Sequence, residues 1–220
     1  MTNLSHSFSS IKMYENCPKR YYHQRITKEV KDEGNAVTMY GERIHKSLED
    51  RLSEARAELN REAERYEPLC KSIELLADGG VLTVEEEMTL NVDLEPTGWW
   101  DKDAWMRSKI DVLVRKGSKA IMFDWKTGKR RPDFDQLELF ALQVFKHYPE
   151  VQEVKTTFVW LKEMKMDHET YTRDHEAALW SKLLTKVQRI EASAEHDNWP
   201  AKPSGLCGWC PCKTFCEFAK

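Results

Sequence analysis

The sequence predicts an α/β fold, a mixed central sheet flanked by helices with further helical segments at both ends. Three observations predict it. Strand-like apolar runs cluster at 81–92, 109–114 and 121–126. A helical pattern at 134–147 separates them from a further strand at 153–161, and apolar residues recur at helical spacing upstream and downstream. An order of helix, three strands, helix and strand suits a sheet covered by helices.

Each element has a local reason. Ser9 or Ser10 can cap a short helix running through Tyr14, and Pro18 suits the first turn of a second helix reaching Ile26. Residues 30–39 are polar and contain Gly34 and Asn35, which reads as a loop. From Gly41 to about Tyr66, Ile44, Leu48 and Leu52 fall on one helical face, so a long amphipathic helix is expected, interrupted by Pro68. His45 and Glu49, four apart, share a face of it, and Glu49 is a candidate to hold the imidazole.

The strand at 81–92 carries Glu85, Glu86 and Glu87, for which a solvated edge is expected over a metal contact. Residues 95–105 form an aromatic loop with Trp99, Trp100 and Trp105. Tryptophans filling a gap under the sheet are favoured there over tryptophans stacking on unpaired bases. The helix at 134–147 turns Leu137, Phe140, Ala141 and Val144 to a core, and 166–172 reads as a hairpin partner of 153–161. Asp174 is placed to cap a long helix to about Ala194, with Leu179, Leu183 and Val187 on its buried face. A polar linker at 196–206 leads to a cysteine-rich tail.

With 220 residues the chain can bury one good core, so a single domain over 1–220 is expected, with a helical entry segment at 1–40, a core at 41–195 and a tail at 196–220. No apolar run is long enough to span a bilayer and the amino terminus lacks a signal-peptide pattern, so a soluble, cytoplasmic protein is expected. Four of the six cysteines crowd into the tail, at Cys207, Cys210, Cys212 and Cys216, which suits a metal in a reducing compartment better than a disulfide framework. The formal net charge of −3 offers no global attraction to nucleic acid. Binding would rely on local patches such as 126–131, with Lys129 and Arg130, and Lys19-Arg20 with Arg25.

The chemistry is concentrated in 109–128. Side chains alternate along a strand, so Asp124 and Lys126 share one face while Phe123 and Trp125 take the other. Asp111 and Asp124 are suitable oxygen ligands for a hard cation, and a lysine beside them can orient water and offset charge growing on a phosphate. Two ordinary strands with solvent-facing charges are the competing reading. Upstream lies Gly41-x-x-x-His45-x-x-x-Glu49 and downstream Gln136-x-x-x-Phe140.

This ordered set resembles the RecB-like branch of the PD-(D/E)XK nucleases. The resemblance implies a restriction-endonuclease-like core, Mg²⁺ or Mn²⁺ held by His45, Asp111, Asp124 and the main-chain carbonyl of Trp125, a catalytic Lys126, and Gln136 positioning Lys126 or touching the DNA backbone. The chain departs from the pattern at Phe140, where the family has Tyr, and at Ser108, where a Gly often stands. Cys17-Pro18-Lys19-Arg20-Tyr21 together with Cys207-x-x-Cys210 and Cys216 is similar to the iron–sulfur subset of the family, which includes CRISPR-associated RecB-like exonucleases and AddB-type nuclease domains. That similarity implies a 4Fe-4S cluster on Cys17, Cys207, Cys210 and Cys216, stapling the two ends together, with Cys212 pointing away and Cys70 a free thiol. Zinc is the alternative occupant, because composition alone does not separate the two.

The implied function is a metal-dependent DNA exonuclease acting on single- or double-stranded DNA with free ends, in recombination, repair or replication-linked processing. Arg20, Tyr21, Lys129, Arg130 and Gln136 are the candidate DNA contacts. A CRISPR-adaptation nuclease trimming spacer precursors, and a non-catalytic DNA-binding module on the same fold, are the alternatives.

Overall fold

The computed structural model of the protein describes residues 4–31, 34–53, 57–214 and 216–218. Its elements in chain order are α1 (Phe8–Asn16), α2 (Pro18–Tyr21) continued by a π-turn (Tyr22–Ile26), α3 (Ala36–Leu52), α4 (Glu67–Leu76), β1 (Val81–Leu90), β2 (Met106–Lys116), β3 (Lys119–Lys126), α5 (Phe134–His147), β4 (Glu153–Trp160), β5 (Lys165–Thr172) and α6 (Glu176–Glu195). They fall into two compact units, one formed by Met1–Gly34 and Trp180–Lys220, the other by Asn35–Leu179. Among the described residues no helix is long and apolar enough to cross a membrane.

The unit Asn35–Leu179 contains the sheet, ordered β1-β2-β3-β4-β5. β1, β2 and β3 form an antiparallel meander, β3 pairs parallel with β4, and β5 returns antiparallel on β4. The parallel step requires a crossover, and α5 supplies it. A mixed sheet flanked by helices is therefore the observed fold, as the sequence predicts.

Two apolar layers flank the sheet. Leu137, Phe140, Ala141 and Val144 of α5 pack with Met88, Ile110, Met122 and Phe158, while Ile44 and Leu48 of α3 and Leu69 and Ile73 of α4 pack with Val112, Val114, Phe123 and Trp125. β3 keeps strict alternation, with Ala120 and Met122 in the α5 layer and Ile121, Phe123 and Trp125 in the other. β1 and β2 do not. Leu82 and Val84 belong to the α3/α4 layer but Met88 to the α5 layer, and Val112 and Val114 likewise differ from Ile110. The change occurs at one level of the hairpin, where Val84 pairs with Val112 and Glu86 with Ile110 and the intervening Glu85 adopts φ 52°. A left-handed conformation costs a side-chain-bearing residue roughly 1–2 kcal/mol.

Several local expectations need correction. α3 begins at Ala36 inside the expected loop, because the Asn35 side chain accepts the Val37 and Thr38 N–H groups at 2.9 and 3.2 Å. It ends at Leu52, well short of Tyr66. Ser47 Oγ accepts the Asn60 N–H at 2.9 Å as the chain returns, and Arg51 grips both Glu67 and Glu74 of α4. Pro68 opens α4 and breaks nothing, since its missing N–H falls in a first turn. Thr172, not Asp174, starts the last helical segment, its N–H donated to His175 Nδ1 at 2.9 Å across a 3₁₀ turn before α6. The aromatic loop splits, with Trp105 buried and Trp100 86 % exposed.

In the unit Met1–Gly34 with Trp180–Lys220, the cap of α1 is Ser7 and not the expected Ser9 or Ser10. Ser7 Oγ accepts the Ser10 N–H at 3.3 Å and Ser10 Oγ accepts the Ser7 N–H at 2.9 Å, a reciprocal capping box. Pro18 occupies the first turn of α2, as expected. Tyr14 bonds the Arg189 carbonyl and Ser193 of α6, and Lys186 of α6 pairs with Glu15 at 2.9 Å, so α1 and α6 are tied side by side.

Candidate active site and cysteine cavity

In the sheet-bearing unit, the middle of β2, the end of β3, the middle of α3 and the first turn of α5 supply the residues expected to carry chemistry. Asp111 reaches across to β3, where its Oδ2 accepts the Trp125 N–H at 2.7 Å, and its Oδ1 lies 3.6 Å from His45 Nδ1 of α3. Glu85 joins them from β1. One potential ligand atom each from His45, Glu85 and Asp111 lies within 4.8 Å of the others, a spacing able to hold a metal ion. Glu85 also pairs with Lys109 at 2.7 Å.

Asp124 lies on the neighbouring strand with only 5 % of its surface exposed. Lys126 Nζ approaches its Oδ2 at 2.5 Å, Gln136 Nε2 donates to its Oδ1 at 3.1 Å, and Lys126 Nζ donates to Gln136 Oε1 at 2.9 Å. The three side chains close a ring. Alternation on β3 puts Asp124 and Lys126 on the α5 face, and Gln136 meets them because it stands in the first turn of that helix. The Lys126 ammonium also lies 5.0 Å from the Phe158 ring centre.

The electrostatics ask for a cation. Burial pushes the Asp124 carboxyl up to about 6, against the pull of Lys126 and with a further push from Asp111. Burial opposes charge on His45 too, but contact with Asp111 and the negative charges of Asp111, Asp124 and Glu85 raise its pKa above the ordinary imidazole value. Carboxylates with one imidazole form a donor set suited to Mg²⁺ or Mn²⁺.

Glu85 is the residue that sequence reading undervalued. Its neighbourhood becomes legible only once the hairpin register is known, because residue numbers summing to a constant pair across β1 and β2, placing 85 opposite 111. Glu49, for which holding the His45 imidazole and a plain surface charge are equal expectations, pairs with Lys46 at 3.0 Å. Phe140 is buried in the α5 layer, and Ser108 is buried on β2. Gly41 of the Gly-x-x-x-His motif lies against β3's exit, where an added Cβ would sit 2.9 Å from Thr127 Oγ1.

The proposed DNA contacts fare unevenly. Tyr21 is 1 % exposed and stacked on Trp199 at 5.8 Å, so its expected grip on a strand is corrected to a packing role. Arg20 donates to Gln24 at 2.6 Å, and Arg130 forms a two-pronged pair with Asp167. Lys129 is exposed.

In the other unit, Cys17, Cys207, Cys210, Cys212 and Cys216 line one cavity of about 290 Å³. The Lys202 N–H points to Cys17 Sγ at 3.5 Å and the Ser204 N–H to Cys207 Sγ at 3.2 Å. The expectation that Cys212 points away is not met. It is 3 % exposed, and burial, then its contact with Cys210, pushes its thiol up to about 12. Cys70 is a buried free thiol in α4, raised by burial to about 11.

The family model of the PD-(D/E)XK nuclease superfamily matches residues 5–217. The chain belongs to that superfamily. Its mixed five-stranded sheet flanked by helices is the fold of that superfamily. A crystal structure of a candidate exonuclease from Eubacterium rectale shares the fold, with a TM-score of 0.54 and 14 % identity over 94 % of this chain and 86 % of that one. A second solved structure, SSO0001, aligns at 12 % identity over 100 % of this chain and 89 % of its own, with a TM-score of 0.43. No curated protein matches the sequence.

Proposed function

We propose that this PD-(D/E)XK protein is a Mg²⁺- or Mn²⁺-dependent deoxyribonuclease that hydrolyses phosphodiester bonds at DNA ends, in recombination, repair or replication-linked processing in the cytoplasm. The observation that carries the reading is the meeting of His45, Glu85 and Asp111 beside the closed ring of Asp124, Lys126 and Gln136. The designation of the Eubacterium rectale neighbour as an exonuclease supports the choice of DNA ends.

In this reading His45, Asp111 and Asp124, with the Trp125 carbonyl and Glu85, would hold the metal. A divalent ion bound there would lower the pKa of water and neutralise charge on the scissile phosphate. The chain's own residues do the rest. The Trp125 N–H holds the Asp111 carboxylate in one orientation. Gln136 fixes both Asp124 and Lys126, so Lys126 can turn to the attacking water and to the phosphate oxygens without a search through rotamers. Lys129 and Arg130 follow directly on the loop from β3, where they would contact the phosphate backbone, Arg130 exchanging Asp167 for phosphate.

For the cysteine cavity we infer a metal centre on Cys17, Cys207, Cys210 and Cys216, a 4Fe-4S cluster with zinc as the alternative. Support comes from the shared cavity and the N–H groups aimed at Cys17 and Cys207.

The test is cleavage of end-labelled single- and double-stranded DNA with Mn²⁺ or Mg²⁺. Shortening from a free end that circular DNA resists, abolished by Asp111→Ala, is expected. Tight end binding by metal-replete protein without cutting would replace the enzyme with a DNA-binding module.

A further inference from the structure

We propose that Cys212 is a ligand held in reserve in the cysteine cavity, able to complete a four-thiolate metal centre when Cys216 is missing. This rests on the reading of the cavity as a thiolate-bound metal centre. Both candidate occupants, zinc and a 4Fe-4S cluster, use four thiolates, whereas the cavity is lined by five.

The fifth thiol is placed by the backbone. The Cys210 N–H donates to the Cys207 carbonyl at 3.1 Å and the Lys213 N–H to the Cys210 carbonyl at 3.0 Å, so two successive turns carry Cys207, Cys210 and Cys212 along one wall. Pro211 between the last two has a restricted φ and fixes their separation. Cys212 is almost fully buried, its thiol in hydrogen-bond contact with Cys210 and close to Cys17.

That placement is unlike that of Cys70, which is buried in the apolar layer between α3, α4 and the sheet, where a thiol serves as a small hydrophobe. Cys212 is buried among other sulfurs. A thiol there has two uses. It fills space beside the centre, or it exchanges with the ligand at the end of the tail. The second requires its sulfur to reach the centre by side-chain rotation, and its place in the cavity wall in contact with the ligand Cys210 puts it beside the position it would fill.

The experiment compares wild type, Cys212→Ser, Cys216→Ser, the double variant and Cys17→Ser, each purified anaerobically and checked for fold by circular dichroism. Iron, zinc and sulfide are measured, with the visible spectrum and the extent of alkylation of each cysteine by iodoacetamide before and after metal removal. Iron with sulfide identifies a cluster and zinc alone the alternative. The expected result is full metal in wild type and Cys212→Ser, at least half in Cys216→Ser with an altered spectrum, and less than about a tenth in the double variant and Cys17→Ser. In Cys216→Ser, Cys212 should resist alkylation until metal is removed. Cys216→Ser as empty as Cys17→Ser, or a double variant retaining as much metal as Cys216→Ser, would overturn the reserve role alone. Wild-type protein with neither metal would overturn the centre and the reserve role together.

Discussion

The two candidate metal sites are built in opposite ways. In the sheet-bearing unit the carboxylates stand on β1, β2 and β3, and ladder hydrogen bonds hold those strands, on one side for the edge strand β1 and on both sides for β2 and β3. In the other unit Cys17 sits at the junction of α1 and α2, while the remaining cysteines stand in a 3₁₀ turn and the tail, where turn bonds such as that from the Cys210 N–H to the Cys207 carbonyl hold the backbone. The first site is preorganised by hydrogen bonds that exist for the fold's sake. The second depends far more on whatever its thiols bind, because a metal that joins distant segments contributes folding free energy directly.

The largest effect that would sharpen this contrast is catalytic. Lys126→Ala should lower the cleavage rate by about 10²–10⁴-fold while leaving DNA affinity within a few-fold, since a lysine fixed by Asp124 and Gln136 acts mainly in the transition state. A loss confined to KM would assign Lys126 to binding instead.

Metal removal should separate the two units next. Cys17→Ser or exhaustive chelation should raise amide exchange across residues 199–214 by at least about a hundredfold while β2 and β3 stay protected, as expected of regions with unequal local stability. Uniform loss of protection in both units would end the contrast.

The carboxylate site carries its own cost. Asp124 has a folded-state pKa raised from 3.8 to about 6, so the folded state holds its proton more tightly than the unfolded state does. The Asp124 contribution to the stability of metal-free protein therefore falls as pH rises from about 3.8 to about 6 and is flat above that window, on the order of 3 kcal/mol in all. Asp124→Asn should remove this loss and raise the Tm of metal-free protein at pH 7, and Mn²⁺ should stabilise wild type above pH 6 more than the variant. Denaturant melts across pH 4–8 check the sign.

Glu85→Gln should weaken Mn²⁺ binding by about tenfold, measured by calorimetry, with little change in fold. Glu85→Gly should weaken it similarly yet relieve the left-handed backbone at φ 52°, so metal affinity and stability would move in opposite directions. Unchanged affinity in both would return Glu85 to a plain ion pair with Lys109.

Smallest is Gly41→Ala. A Cβ 2.9 Å from Thr127 Oγ1 must push α3 or the β3 exit aside, at about 1–2 kcal/mol, and shift His45 with it. Partial rescue by Thr127→Ala, which removes Oγ1, would locate the clash.

Much of this was legible before any coordinates. Period-two alternation in 121–126 determined that Asp124 and Lys126 share a face, and α5 and β3 fall where their apolar patterns place them. Helix boundaries were less legible. Asn35 reads equally as loop or cap, and the end of α3 was decided by Ser47 and Arg51 reaching residues 13 and more positions away. Local sequence alone determined the α/β class, the Asp124-x-Lys126 unit and the cysteine-rich tail, because periodicity and spacing are properties of neighbouring residues. Only tertiary structure decided that Glu85 joins Asp111 and His45, that Tyr21 is buried and that Cys212 faces the other thiols. Strand register, side-chain burial and the closure of distant segments depend on contacts between residues far apart in the chain, and one-dimensional patterns carry no record of them.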